Sequence, residues 1–475
     1  SILIGEGNGT FQTHADSATG QQPYDVAIAD FNGDGKPDLA SANFAANSAS
    51  ILLNQGSGKF AAHVDYPTGY APGALAIADF NGDKKQDLAL AATGSNAVSI
   101  LMGNGDGTFQ ALQEYPTGNL DIGIAVGDFT GNGVADVVTS NSGFGANSVS
   151  ILLGTGSGAF KPFVNYASGF FPLWTAAADF NGDGKLDLAV ADYDNVELGF
   201  AFPSQVSILL GNGDGTFQSP IIYDVGEGAQ WIAAGDFNQD GKQDLAVVNG
   251  YGNTVSILLG NGDGTFQPQV SYAVGAEPFS VAVADFNGDG TPDLAVSNSI
   301  CIYESACGPG TVSILLGNGD GTFQPDVEYV AALEPSGLAA GDLSGQGGAD
   351  VAVANLYSNS VSVLFNLPVI SVFPNSVAFG KEAVGKKSAP HIVTIGNPSG
   401  TPLSITSVKI AGADPGDFAE TDTCPISPAK LAPGATCAIT VTFTAAASGK
   451  RSGKIELTDT VPGSPQSITL TGSGK

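Results

Sequence analysis

The sequence predicts an all-β chain, with a seven-bladed β-propeller over residues 1–367 and a β-sandwich over residues 368–475. Three observations carry this. A nine-residue Asp-rich turn recurs seven times, at spacings of 49, 49, 51, 57, 49 and 57 residues, and self-similarity at such a period marks a repeat architecture. Short Val/Ile-rich runs bounded by Gly, Asn and Asp lie between the turns, which is the signature of β-hairpins. Gly and Pro total 92 of 475 residues, against about 12% in average usage, and no stretch repeats its apolar residues at helical spacing.

Within a repeat, the first strand ends at the Asp-rich turn, as Val281–Asp285 does, and the second leaves it at Asp293. The third is a serine-centred segment such as Val312–Leu316, and the fourth runs from Phe323 to Tyr329. Four antiparallel strands per repeat make one blade. Ser50, Ser99, Ser150, Ser207, Ser256, Ser313 and Ser362 mark the third strands, and an eighth copy of that segment opens the chain at Ser1–Phe11. The count comes to 29 strand candidates for the 28 places of seven blades, because Ser1–Ile4 and Ser362–Phe365 compete for one third-strand place. All length variation falls between strands two and three, in Asp192–Ser204 and Asn298–Gly310. These insertions belong on the face opposite the Asp-rich turns, where a scaffold tolerates functional loops.

After Asn366 the repeat stops. Alternating segments at Ile370–Phe379, His391–Ile395, Leu403–Ile410, Cys437–Phe443, Lys454–Leu457 and Gln466–Leu470 read as a sandwich. Lys381, Lys386 and Lys387 make it far less acidic than the repeats. Four cysteines form two close pairs, Cys301/Cys307 and Cys424/Cys437, and pairing of neighbours is the simplest of three connectivities. Local disulfides point to an oxidising, extracytoplasmic compartment. The chain opens at Ser1 inside a repeat, so a removed leader or excision from a longer protein is expected.

Each Asp-rich turn offers oxygen side chains at positions one, three, five and nine, with a backbone carbonyl at seven. The sets are Asp30, Asn32, Asp34 and Asp38; Asp79, Asn81, Asp83 and Asp87; Asp128, Thr130, Asn132 and Asp136; Asp179, Asn181, Asp183 and Asp187; Asp236, Asn238, Asp240 and Asp244; Asp285, Asn287, Asp289 and Asp293; and a degenerate seventh, Asp342 and Asp350 with Ser344 and Gln346. Hard Ca²⁺ takes six to eight such oxygens, and Gly at position six lets the loop wrap the ion. Zn²⁺ is disfavoured without His or Cys. An isolated copy could be a mere hairpin turn, but five in-phase loops with three carboxylates each would repel themselves without a cation. Lys84 at position six of loop two, the two carboxylates of loop three and the substitutions in loop seven should weaken those sites. The seven loops hold 19 of the 46 acidic residues, so bound metal removes much of the formal charge of −30.

With phase, loop and strands in place, residues 1–366 resemble the FG-GAP/VCBS repeats of integrin α-subunit propellers and secreted bacterial proteins. That resemblance implies Ca²⁺ in the turns and a secreted, extracellular or cell-surface bacterial protein. The tail, with Phe379-Gly380, Leu431–Gly434, Cys437 and Val441–Thr444, is similar to bacterial Ig-like domains of the ASPM/SPD-2/Hydin type, so the sandwich is expected to be Ig-like.

No catalytic constellation emerges. His14, His63 and His391 are scattered, no G-x-S-x-G elbow occurs, and the carboxylate pairs are accounted for as ligands. Excess negative charge disfavours nucleic acid and anionic lipid as partners, and no apolar run is long enough to span a membrane as a helix. Trp174 and Trp231 each stand five residues before a loop Asp, in adjacent blades. They either pack between blades or form a sugar-stacking platform. The expected function is therefore a non-catalytic surface or matrix protein for adhesion or assembly, with other subunits or itself, head-to-tail, as partner. The alternative is a lectin-like propeller binding extracellular glycans. A surplus apolar strand would seek a sheet edge on another subunit.

Overall fold

The computed structural model describes residues 11, 14–56, 58–143, 145–193, 204–299, 308–366, 370–397, 402–461 and 464–475. The repeats form seven four-stranded antiparallel sheets. The first blade is built from β2 (Pro23–Ala29), β3 (Asp38–Asn43), β4 (Ser48–Leu52) and β5 (Val64–Pro67), after an N-terminal β1 (Ala15–Ala18). Five further blades follow the same order, with inner strands Pro72–Ala78, Asp121–Gly127, Pro172–Ala178, Ala229–Gly235 and Pro278–Ala284. The seventh consists of Pro335–Gly341, Asp350–Asn355 and Ser360–Leu364, and its fourth strand is β1, paired in the register Ala15↔Val363 to Ala18↔Ser360.

The two chain ends thus share a blade. The contested third-strand place belongs to Ser360–Leu364, and residues 15–364 complete all 28 strands. Ser1–Ile4, the competing segment, lies outside the described residues.

Each inner strand packs against the inner strands of both neighbours, and the chain of contacts closes from the seventh blade back to the first. Strands two and three are the core, buried along their length, whereas fourth strands are exposed at most positions. The fourth strand of the sixth blade is Val327–Leu333; the expected start at Phe323 is instead a lone bridge to Gly317. That bridge closes the second Gly-rich turn and recurs in the first six blades, for example Gly103↔Phe109 and Gly211↔Phe217.

These turns staple the ring. Phe31 of the first loop and Tyr66 of the same blade both pack edge-on against Phe109 of the next blade, at 5.6 and 5.3 Å, and Gly107 N donates to Phe31 O at 3.0 Å. The staple repeats blade after blade until Phe286 and Tyr329 meet Phe11, contributed by the N-terminal segment.

The tail forms two four-stranded sheets. One contains Ser371–Phe373, His391–Gly396, Thr436–Phe443 and Phe418–Asp422; the other contains Ser376–Glu382, Gln466–Gly474, Gly449–Asp459 and Ile405–Ala411. A shared core of residues such as Phe379, Val393, Phe418, Phe443 and Leu457 joins them as a sandwich. Two sequence expectations are corrected. The segment Ile370–Phe379 is split between the sheets at Pro374 and Asn375, and Phe418–Asp422 is an additional edge strand. Cys424 and Cys437 form a disulfide, the pairing of neighbours expected from the sequence, and it ties the end of this edge strand to its immediate neighbour. Cys301 and Cys307 lie outside the described residues.

Candidate metal centre in the Asp-rich turns

All seven turns connect strand one to strand two and therefore lie on one face of the disc. Glycines at positions four and six have positive φ in most of them, as Gly33 (+72°) and Gly35 (+79°) do, and this coils the loop tightly. Position one caps the coil: Asp30 Oδ1 accepts from Gly33 N at 2.7 Å and Asp34 N at 3.2 Å, and Oδ2 accepts from Gly35 N at 2.8 Å. Asn32 Oδ1 accepts from the same Asp34 amide at 2.9 Å. The side chains at positions one and three therefore converge on one point inside the loop. Asp79/Asn81, Asp179/Asn181, Asp236/Asn238 and Asp285/Asn287 repeat this arrangement.

In loop three, Asp128 caps Asn132 and Gly133, with Thr130 replacing the amide side chain. In loop seven, Asp342 caps Gln346 and Gly347, and Ser344 donates to it. Position five is solvent-facing. Where position seven is Lys, its ammonium sits on that carboxylate, as Lys36 Nζ does on Asp34 Oδ2 at 2.7 Å and Lys242 Nζ on Asp240 Oδ2 at 3.0 Å. The lysine hydrogen bond holds Asp34 and Asp240 below the ordinary Asp range.

Position nine behaves differently. Asp38, Asp87, Asp136, Asp187, Asp244, Asp293 and Asp350 are all fully buried. Each uses both oxygens on backbone amides. Asp187 Oδ2 accepts from Phe180 N at 3.0 Å and Oδ1 from Gly211 N at 2.7 Å, which locks the loop to the turn after strand three. Burial raises these carboxyls against the pull of the amides, to about 6 for Asp293 and about 7 for Asp350. Sequence reasoning missed this clamp, since its second amide lies 16 to 24 residues downstream.

The donor set is entirely hard oxygen, and a carboxylate that accepts amide protons still has lone pairs free, so the residues fit Ca²⁺ chemically. Among the described residues, however, no group of three or more His, Cys, Asp or Glu is gathered tightly enough to hold a metal ion. The carboxylates of each loop, three in five loops and two in loops three and seven, are held by their own amide, hydroxyl or ammonium donors.

On the opposite face the inner strands begin at a β-bulge, as between Pro23 and Asp25. Trp174 and Trp231 meet there, stacked at 21° between their ring planes and each 7% exposed. Phe279 and Tyr24 continue the aromatic cluster. Each indole therefore has one face against the other indole. Among the described residues, the exposed tyrosines on this side are instead Tyr70, Tyr251 and Tyr357.

Two Ser/His/Asp groupings are structural. His63 Nδ1 lies 2.8 Å from Asp65 Oδ1 and 3.4 Å from Ser50 Oγ. The same nitrogen faces both partners, so the ring cannot relay a proton between them. His14 stands the same way between Asp16 and Ser362. These serines belong to a buried ladder that sequence reasoning also missed. In it Asn43 Nδ2 donates to Ser48 and Ser50, and Ser50 to Asp65.

A family model described as FG-GAP-like repeat matches residues 1–41, 30–90, 79–139, 140–190, 179–247 and 236–296, and one described as FG-GAP repeat matches 278–315. No curated protein matches the chain. Among solved structures, BBS1N in complex with ARL6DN is similar at TM-score 0.53 and 14% identity, covering 75% of this chain and 96% of that one. A functionally unknown protein from Desulfotomaculum acetoxidans DSM 771 aligns at TM-score 0.46 and 12% identity, covering 72% and 92%.

Proposed function

The chain belongs to the FG-GAP-like repeat family, and from that premise we propose that it is a non-catalytic, calcium-binding surface or matrix protein, secreted and serving adhesion or assembly. A propeller of this family suggests a binding protein, and among the described residues no helix is long and apolar enough to cross a membrane. The division at residue 367 and an Ig-like tail of the ASPM/SPD-2/Hydin type are part of the same reading. The observation that supports calcium most is the convergence of the position-one and position-three oxygens in five loops, beside an outward carboxylate at position five. Positions one, three, five and nine would hold the ion.

Titration calorimetry of chelator-stripped protein tests this. At least four sites are expected, in the roughly 10⁻⁴–10⁻³ M range of extracellular modules, with loss of one site in Asp183→Ala; absence of binding at millimolar Ca²⁺ would overturn it.

Protein partners are proposed, including a second copy head-to-tail. The solved neighbour is itself described in complex with ARL6DN. The 28 strands of the ring are complete within residues 15–364, and the surplus segment Ser1–Ile4 is proposed to add to a sheet edge of another subunit. Glycan binding is the second reading, and the exposed Tyr70, Tyr251 and Tyr357 on the face opposite the Asp-rich turns favour it over any role for Trp174 and Trp231.

A further inference from the structure

Charge is distributed unevenly along this chain. Residues 368–475 hold nine of the 16 Lys and Arg but only seven of the 46 Asp and Glu. The seven lysines of the repeats all sit in Asp-rich turns or in the Gly-rich segments after strand three, at Lys36, Lys59, Lys84, Lys85, Lys161, Lys185 and Lys242. Strand order puts both turn types on one face. Among the described residues of the repeats none of the Lys falls on the opposite face, and three successive turns leading into inner strands there carry Glu227, Glu277 and Glu334. Glu227 and Glu277 are exposed. Calcium in the Asp-rich turns would leave this acidic arc untouched.

The tail offers the complement. A groove of about 580 Å³ is bordered by Lys381, Lys450, Arg451, Ser452, Thr471 and Ser473. Arg451 is engaged by Asp414 and Asp417, whereas Lys381 and Lys450 form no salt bridge among the described residues. Both lysines are exposed.

Topology favours a contact between two chains over one within a chain. The last propeller strand, Ser360–Leu364, runs toward the Asp-rich face, and Asn366 N is anchored there on Asp350 at 2.7 Å. The next described residue, Ile370, is four residues on and so within about 14 Å of that anchor. An inner strand of seven residues is about 23 Å long, more than those four residues can span, so the tail starts short of the face that carries the acidic arc of its own propeller.

We propose that the Lys381/Lys450 groove docks onto the Glu227–Glu277–Glu334 arc of a second copy of this chain, so that subunits stack face to tail. The proposal rests on the self-assembly reading above. Such a contact is heterologous and extends as a filament when its rotation does not close.

Sedimentation velocity of the full chain with Ca²⁺ tests it at about 50 mM and about 500 mM salt, where screening differs strongly. Wild type should associate at low salt and separate at high salt. Lys381→Glu/Lys450→Glu and Glu227→Lys/Glu277→Lys should each remain monomeric alone, and mixing the two should restore association, which misfolded variants could not do. If wild type associates and both variants associate equally, the groove proposal fails while self-assembly stands. A wild type that is monomeric at every concentration and salt overturns both.

Discussion

Lys84 occupies position six of the second loop with φ +65°, where the other loops place Gly. The left-handed conformation costs a side-chain-bearing residue about 1–2 kcal/mol, offset in part by the greater unfolded-state freedom of Gly. Lys84→Gly should therefore raise stability by about 1 kcal/mol in chemical denaturation. Asp192 is the second residue out of place. It ends a second strand where five other blades have Asn43, Asn141, Asn249, Asn298 and Asn355. It is fully buried, with Oδ2 accepting from Ser207 and Oδ1 without a partner among the described residues. Burial raises its pKa to about 8, against the pull of hydrogen bonds from Ser207 and Gly169. The folded state thus holds a proton that the unfolded chain releases near pH 4. The stabilisation is complete below that pH and is lost as pH rises through about 8. Asp192→Asn should remove this slope and gain on wild type by a few kcal/mol at pH 9; parallel pH–stability curves would contradict it.

At the scale of the element, the Asp-rich turn combines two jobs that one pattern of aspartates conceals. Position five faces solvent, while position nine satisfies two buried amides that have no other acceptor. Losing that acceptor costs about 1–3 kcal/mol per stranded amide. Asp187→Ala should accordingly destabilise the protein by about 2–5 kcal/mol with or without calcium, and Asp183→Ala by under about 0.5 kcal/mol in chelator. Equal effects of the two variants in chelator would refute the clamp. The loops and the four strands per repeat were legible in the sequence because seven copies share one phase. The clamp was not, since the Gly211 amide that completes it is distant in sequence. The Phe180–Phe266 staple was hidden for the same reason. In the tail, Phe418–Asp422 escaped notice because an edge strand with one buried residue, Phe418, has no alternation to betray it.

For the whole molecule, closure is the critical feature. Phe11 and Ala15–Ala18 complete the seventh blade, so the ring is held by pairing of distant chain segments, and each loop clamps its blade to the turn beside it. A cation bound in several loops stabilises by mass action, about 0.4–1.4 kcal/mol per site at millimolar Ca²⁺ and Kd of about 10⁻⁴–10⁻³ M. These increments add over one cooperative ring, whereas the tail, with no such loop, is expected to gain nothing. Differential scanning calorimetry of the intact chain, in millimolar Ca²⁺ and again in excess chelator, measures this directly. The account predicts that chelation lowers the propeller transition by several degrees and leaves the tail transition in place; a propeller melting temperature unchanged by chelator would contradict it.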